Sequence, residues 1–283
     1  MDNTLNRTDH APDELIIEAG RTEGQYWKDI WNYRGLFYFL AWRDILVRYK
    51  QTVIGIAWSL IRPLLTMIVF TIIFGKLAKL PSEGAPYAIL VFAAMLPWQL
   101  FSNCLSETSN SLLLNANLLS KVYFPRIILP VSSLIVGFVD FLISFLILIA
   151  LMCWYRFIPD WKILTLPFFI FLALFASIGF GLWLAALNVK YRDFRYIVPF
   201  ILQFGLYISP VGFSSSVVPG NWRLLYSINP MVGVIDGFRW ALLGQNIQLY
   251  WPGFFISVVL MIVLFVIGIR YFRKTEKTFA DVI

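Results

Sequence analysis

The ionisable residues that could do chemistry fall into three groups. Arg43, Arg48 and Lys50 crowd the segment LAWRDILVRYKQTVIGIAWSLIRP (40–63), just ahead of an apolar run from Val53 to Phe74 that contains Arg62. Cations in that place attract anionic lipid, and Arg34 stands a little upstream. Glu107 and Asp140 lie within two further apolar stretches. An ionisable group at membrane depth is costly and carries a functional reading by default. For Asp140 that reading is a polar pathway or a partner helix, and a structural hydrogen bond to a neighbouring span fits equally. For Glu107, among Ser102, Asn103, Ser106, Thr108, Ser109 and Asn110, it is an aqueous entrance, against simple snorkelling at a helix end. Asp236 and Arg239 form the third group, spaced i, i+3 and so able to pair on a helix.

These groups do not compose an enzyme. The single histidine, His10, sits in a polar tail, which leaves no imidazole for acid–base or metal work at membrane depth. Glu83, Asp160 and Asp236 are scattered rather than clustered. No GxxxxGK[ST] loop and no GxSxG occurs, so if ATP drives this chain another polypeptide binds it. Proton coupling through Asp140 makes a thin relay. An ion-driven flippase would show more intramembrane charge or inverted repeats.

The elements that must position these residues are helices in lipid. The 283 residues are 59% hydrophobic and 14% charged, where a soluble domain carries about a quarter charged. A span needs roughly 20 apolar residues. Six stretches qualify, approximately 53–75, 87–109, 127–153, 163–188, 196–216 and 251–270. With both termini on one side, that side collects Arg7, Arg21, Lys28, Arg34, Arg43, Arg48, Lys50, Lys121, Arg126, Lys190, Arg192, Arg195, Arg270, Arg273, Lys274 and Lys277. The other side holds only Lys76, Lys79, Arg156, Lys162, Arg223 and Arg239. The positive-inside rule then predicts cytoplasmic termini. The net charge of +7 follows from this layout and needs no nucleic acid.

Residues 1–25 carry Asp2, Asp9, Asp13, Glu14, Glu18 and Glu23 and no apolar core, so they read as a polar tail rather than a signal peptide. Residues 26–52 read as a cationic, aromatic-rich helix lying on the membrane surface. Cys104 and Cys153 fall toward opposite faces and read as small core residues. The loop NSLLLNANLLSKVYFPR (110–126) predicts a short helix over Leu118–Val122, with Asn115 or Asn117 as N-cap and Pro125 as the stop. Its apolar residues suit a turn against the membrane or a docking element for a cytoplasmic partner. The long stretch Val218–Tyr250 holds Asn229-Pro230, a helix-start pair, then a helix over Met231–Leu243 that Gly244 can end. Too short to span, it predicts two half-helices that re-enter the outer leaflet as a gate. The Gly233–Gly237 pair could permit close packing, but with 17 glycines in the chain chance explains it better. Phe204, Tyr207, Phe213, Trp222, Tyr226, Phe238 and Trp240 gather toward the outer half. Such faces suit sliding sugar rings, and equally suit membrane-belt anchoring.

Four ordered segments carry a resemblance to a known family: WRDILVRYKQTVIGIAWSLIRP, NANLLSKVYFPRIILP (115–130), VKYRDFRYIVPFILQFGLYISPVGFS (189–214) and INPMVGVIDGFRWALLG (228–244). Together they resemble the type-2 ABC permeases, and more narrowly the bacterial O-antigen and polysaccharide exporters. The resemblance implies an all-α six-span half-transporter that homodimerises and binds two copies of a separate ABC ATPase, where ATP and magnesium would sit. Residues 26–52 would be the interface helix. Asn115, Asn117, Leu118, Leu119, Lys121, Tyr123 and Phe124 would form the coupling helix, which resolves the docking question. Lys190–Tyr196 would add a smaller contact, and residues 220–243 the outer gate. The cargo would be a glycan on a polyprenyl diphosphate, whose headgroup Arg34, Arg43, Arg48, Lys50 and Arg62 would attract at the inner leaflet. Tyr207 and Phe213 would line a channel between the first and fifth spans, with Trp222, Tyr226, Asp236, Phe238 and Arg239 at the gate. Exporters of teichoic acid, lipo-oligosaccharide or drugs share the fold, and a membrane glycosyltransferase or ligase is the remaining alternative.

Overall fold

The computed structural model describes residues 23–50, 53–191, 193–244 and 247–279, mostly helix joined by short loops, with no strand among them. Of the expected polar tail, residues 1–22, including Arg7, His10 and Arg21, lie outside the described residues, as do Gln51, Thr52 and Arg192.

The chain runs α1 (Glu23–Asn32), α2 (Arg34–Lys50), α3 (Val53–Phe70, continued by a wider π turn over Thr71–Leu77), α4 (Tyr87–Leu114), α5 (Ala116–Leu119) and α6 (Ile128–Trp154). It continues through a 3-10 turn, Trp161–Thr165, into α7 (Leu166–Lys190), then α8 (Phe194–Ile208), α9 (Gly220–Tyr226), α10 (Pro230–Leu243) and α11 (Trp251–Glu276). Among the described residues five helices are long and apolar enough to cross a membrane: Leu60–Leu77, Tyr87–Leu114, Ile128–Trp154, Trp161–Lys190 and Trp251–Glu276. Helix α4 is the most enclosed of them and the first span the least. The core forms where α4 packs against α6, α7 and α10, and α11 closes on α7 and α10. Both described chain ends and α5 lie at one end of the bundle, here the near end. The loops after the first span and after α6, with α9 and α10, lie at the far end.

The stretch 196–216 is not one continuous helix. Helix α8 stops at Ile208 after 15 residues, about 22 Å against a hydrocarbon core of about 30 Å. Pro210 follows two residues later, and the chain runs on as a non-helical strap before the short 3-10 turn Ser215–Val217. The far-end helix matches its expected bounds: Asn229 Oδ1 accepts from the Met231 amide at 3.0 Å, Pro230 takes the first helical position, and Gly244 closes α10 at φ +71°.

Close helix packing rests on glycines that looked incidental. A Cβ on Gly237 would come within 2.0 Å of the Phe169 ring on α7, and one on Gly233 within 2.8 Å of Ser257 on α11. Gly268 and Gly179 let α11 and α7 touch backbone to backbone. Chance therefore does not explain the Gly233–Gly237 pair, which admits a different neighbour at each glycine. Cys104 is buried, its Sγ facing the Leu134 carbonyl at 3.5 Å, whereas Cys153 is exposed and not a core residue.

Candidate functional site

At the near end α1 and α2 read almost as one helix, because i→i−4 bonds pass through Tyr33 (Tyr33 N to Asp29 O, 3.0 Å; Phe37 N to Tyr33 O, 3.1 Å). Leu40 and Ala41 face the bundle, while Tyr38, Phe39, Trp42 and Val47 remain exposed. The second half of α2 packs against the bundle. It runs beside α6, and Arg48 reaches Asp140, which is about 18 Å along that helix from Ile128 at 1.5 Å per residue. The Arg48 guanidinium bridges two carboxylates, Glu107 Oε1 at 2.7 Å on α4 and Asp140 Oδ2 at 2.6 Å on α6. The neighbouring Tyr49 hydroxyl donates to Asp140 Oδ1. Asp140 thus meets a partner helix, and that partner is the basic segment itself. A cavity of about 390 Å³ opens beside the bridge, lined by Arg43, Asp44, Arg48, Glu107 and Asn115 among others.

The α5 turn is anchored from two sides. Leu119 and Phe124 are buried with Leu40, Leu112 and Phe272. Arg43 donates to Asp44 Oδ1 and to Asn115 Oδ1, both at 2.7 Å, while Asn115 Nδ2 donates to the Ser111 carbonyl at 2.9 Å. Asn115 occupies the N-cap position, but its side chain is spent on these contacts and caps nothing. The helix is one turn, Ala116–Leu119, and does not extend to Val122. The residues facing out are Asn117, Lys121, Val122 and Tyr123, with Leu118 half-buried.

A clamp behind the turn joins the two ends of the described residues. Glu276 accepts from the Tyr26 hydroxyl at 3.0 Å and from the Arg126 amide at 2.8 Å. Arg273 lies over the Tyr26 ring at 4.7 Å, and Arg126 over Phe279 at 5.9 Å. Burial, then the adjacent Glu276 carboxylate, raise the Tyr26 phenol above its ordinary range.

The cations assigned to a headgroup do not form one patch. Arg34 is exposed beside the Trp31 ring at 5.8 Å, and Lys50 and Arg62 are exposed as well. Arg43 and Arg48 turn into the bundle and its cavity.

At the far end Arg239 is 1% exposed, and its guanidinium donates to three carbonyls: Leu90 at 3.2 Å, Phe213 at 2.7 Å and Val211 at 3.0 Å. The expected Asp236–Arg239 pair is not made, because backbone acceptors take the arginine. Asp236 instead accepts from Ser215 Oγ at 2.6 Å. Tyr226 and Tyr87 hydroxyls donate to the Ile208 and Gly212 carbonyls, each at 2.7 Å. Three carbonyls of the strap, and the last carbonyl of α8, are therefore satisfied by side chains, the condition for irregular backbone inside a membrane bundle. Phe238 is fully buried against Phe141 (6.3 Å between rings), so it lines no surface. Tyr207 and Trp222 are exposed; Phe213 is half-buried beside Tyr226 (6.4 Å), and Phe70 lies 6.4 Å from Tyr207.

The polar run of α4 does not line a continuous entrance: Thr108 and Ser109 are buried, and Asn188 of α7 donates to the Ser109 carbonyl at 3.1 Å. Sequence reasoning missed Asn188 and the strap. The Ser-Pro and Gly after an apolar run were the available signal of a break.

This architecture defines a multi-pass helical membrane protein with its polar groups collected at two levels. Residues 35–243 match the ABC-2 type transporter family, and the chain belongs to that family. It is a transport permease of the inner membrane rather than an enzyme. The chain is 27% identical over 214 residues to the O-antigen export system permease protein RfbA of Myxococcus xanthus, covering 75% of this chain and 82% of the relative. It is 25% identical over 242 residues to RfbA of Klebsiella pneumoniae, covering 85% and 92%. It is 22% identical over 246 residues to the polysialic acid transport protein KpsM of Escherichia coli, covering 83% and 91%.

Proposed function

We propose that this permease is the transmembrane half of an ATP-driven exporter that moves polyprenyl-diphosphate-linked polysaccharide out of the cytoplasm. The observation that carries the reading is the similarity to O-antigen export permeases over most of both chains. In this reading the protein works as a homodimer with two copies of a cytoplasmic ABC ATPase, which bind ATP and magnesium. Both termini are cytoplasmic, α8 with the strap is the fifth of six spans, and α9 and α10 are a re-entrant outer gate. Residues 1–25 and 273–283 are cytoplasmic tails, and 53–272 the transmembrane domain. Helices α1 and α2 form the interface helix over 26–52, with the second half of α2 embedded beside α6.

The coupling element is 115–124. Leu119 and Phe124 anchor it, while Asn117, Lys121 and Tyr123 offer the ATPase an exposed face around Leu118 and Val122. Arg34, Lys50 and Arg62 attract the diphosphate from the surface, and Arg43 and Arg48 wait in the adjoining cavity. Charge reversal at Arg34 or Lys50 slows export without changing complex assembly; wild-type export in those variants removes them from headgroup capture. Tyr207 and Phe213 face the glycan path, and alanine at both slows export at unchanged membrane levels.

The decisive experiment depletes the protein in its host and locates lipid-linked glycan. Finished polymer accumulates on the cytoplasmic face and disappears from the surface. Normal surface polymer redirects the reading to another cargo on the same fold, such as teichoic acid, lipo-oligosaccharide or a drug. Loss of polymer with no cytoplasmic build-up overturns the polymer-export reading.

A further inference from the structure

The far end holds a cavity of about 350 Å³ that no transport step described above uses. Its wall comes from five separate segments: Glu83 before α4, Ser214–Ser216 where the strap meets its 3-10 turn, Arg223 on α9, Asp236 and Arg239 on α10, and Gln248 and Tyr250 before α11. Two of its polar atoms are buried without a hydrogen-bond partner, Glu83 Oε2 and Arg223 Nε. The other Glu83 oxygen already accepts from Ser214 and Ser216 hydroxyls, the latter at 2.7 Å, so the carboxylate is held with one oxygen unmatched. The Arg223 guanidinium is held over the Tyr250 ring at 4.5 Å.

An unmatched buried acceptor and an unmatched buried donor in one cavity call for a ligand that both donates and accepts. The charges select further. Glu83 and Asp236 repel an anion and Arg223 and Arg239 repel a cation, so the formally balanced wall favours a neutral ligand. Hydroxyl pairs satisfy carboxylate and guanidinium together, and the volume lies within the range of small-molecule sites. The cavity also adjoins the path assigned to the glycan, since Ser214 follows Phe213 directly.

We propose that this cavity binds one sugar unit of the emerging polymer, a polyhydroxylated subsite on the outer side of the permease. The inference rests on the polysaccharide-export reading. Bound there, a sugar bridges α9, α10 and the loop ahead of α4, so the glycan is held from outside while the bundle resets.

Two experiments test the subsite. In the first, the full-length permease with its ATPase subunit is examined by saturation-transfer NMR against monosaccharides released by acid hydrolysis of the host's surface polymer. The wild type gives a saturable signal, and Glu83→Gln and Arg223→Gln weaken apparent affinity by about tenfold, a loss of about 1.4 kcal/mol. Gln248→Ala tests the exposed rim of the cavity without touching the serine–carboxylate bonds, and weakens binding less. No signal in the wild type, or equal affinity in all variants, overturns the proposal. In the second, host cells carrying Gln248→Ala or Glu83→Gln at normal membrane levels deliver polymer to the surface more slowly. Full-rate delivery in both overturns the subsite and leaves the export reading standing, because that reading depends on the depletion experiment alone.

Discussion

Arg48 and Arg239 are both arginines held inside an apolar bundle, and their acceptors differ in kind. Arg48 spans two carboxylates on two different helices and is about one-third exposed at the edge of a cavity. Arg239 is sealed in and donates to three main-chain carbonyls, two of them in a strap that has no secondary structure to satisfy it. Carboxylates can be satisfied by water or by another cation when helices move, so the near-end bridge can part and re-form. Carbonyls inside the bundle have no such substitute, which makes the far-end arginine a fixture of the fold. An identical side chain therefore serves as a separable contact in one place and as a replacement for backbone pairing in the other.

The sharpest way to break this contrast is Arg239→Ala, which strands three carbonyls and is expected to cost about 3–5 kcal/mol. Membrane abundance and the unfolding temperature of the purified protein should both fall steeply. Arg239→Lys should rescue little, because a single ammonium lacks the planar fork that reaches three acceptors. Gly237→Ala comes next, at about 1–3 kcal/mol, since its methyl would enter the Phe169 ring; wild-type melting in that variant would show the far end to be looser than described.

At the near end Arg48→Ala should cost less, about 1–2 kcal/mol, because solvent at the cavity screens the exposed part of the pair. Combined with Asp140→Asn it should cost less than the sum of the two single changes, and strict additivity would mean that the two residues are not coupled. The smallest stability effect, within about 0.5 kcal/mol, belongs to Tyr123→Ala, whose side chain is 52% exposed. That variant should lower transport per ATP hydrolysed without shifting the melting curve.

Much of this was legible along the chain. Apolar runs of span length located five long helices, and Asn229-Pro230 with Gly244 bounded α10, because both signals are local. What escaped depends on which helices become neighbours. Spacing i, i+3 suggested that Asp236 pairs with Arg239, whereas the acceptors of Arg239 include Leu90, nearly 150 positions away. Arg48 looked like a surface cation until α6 placed Asp140 against it. Tyr26 and Glu276 meet from opposite ends of the described chain, and no window of sequence holds both. The early stop of α8 could be suspected from Ser-Pro-Val-Gly, but not the three side chains, Tyr87, Tyr226 and Arg239, that make the strap tolerable.

The enclosure of α4 has a consequence for how the protein is made. Most of its packing surface belongs to α6, α7 and α10, which follow it in the sequence. During synthesis from the N-terminus, α4 is therefore inserted long before it is surrounded. Glu107 and its serines wait beside lipid or the insertion machinery until α6 arrives, with α2 the one earlier helix that can supply Arg48. The pairing of Arg48 with Glu107 thus offers the nascent chain an early partner for a carboxylate otherwise left uncompensated at membrane depth.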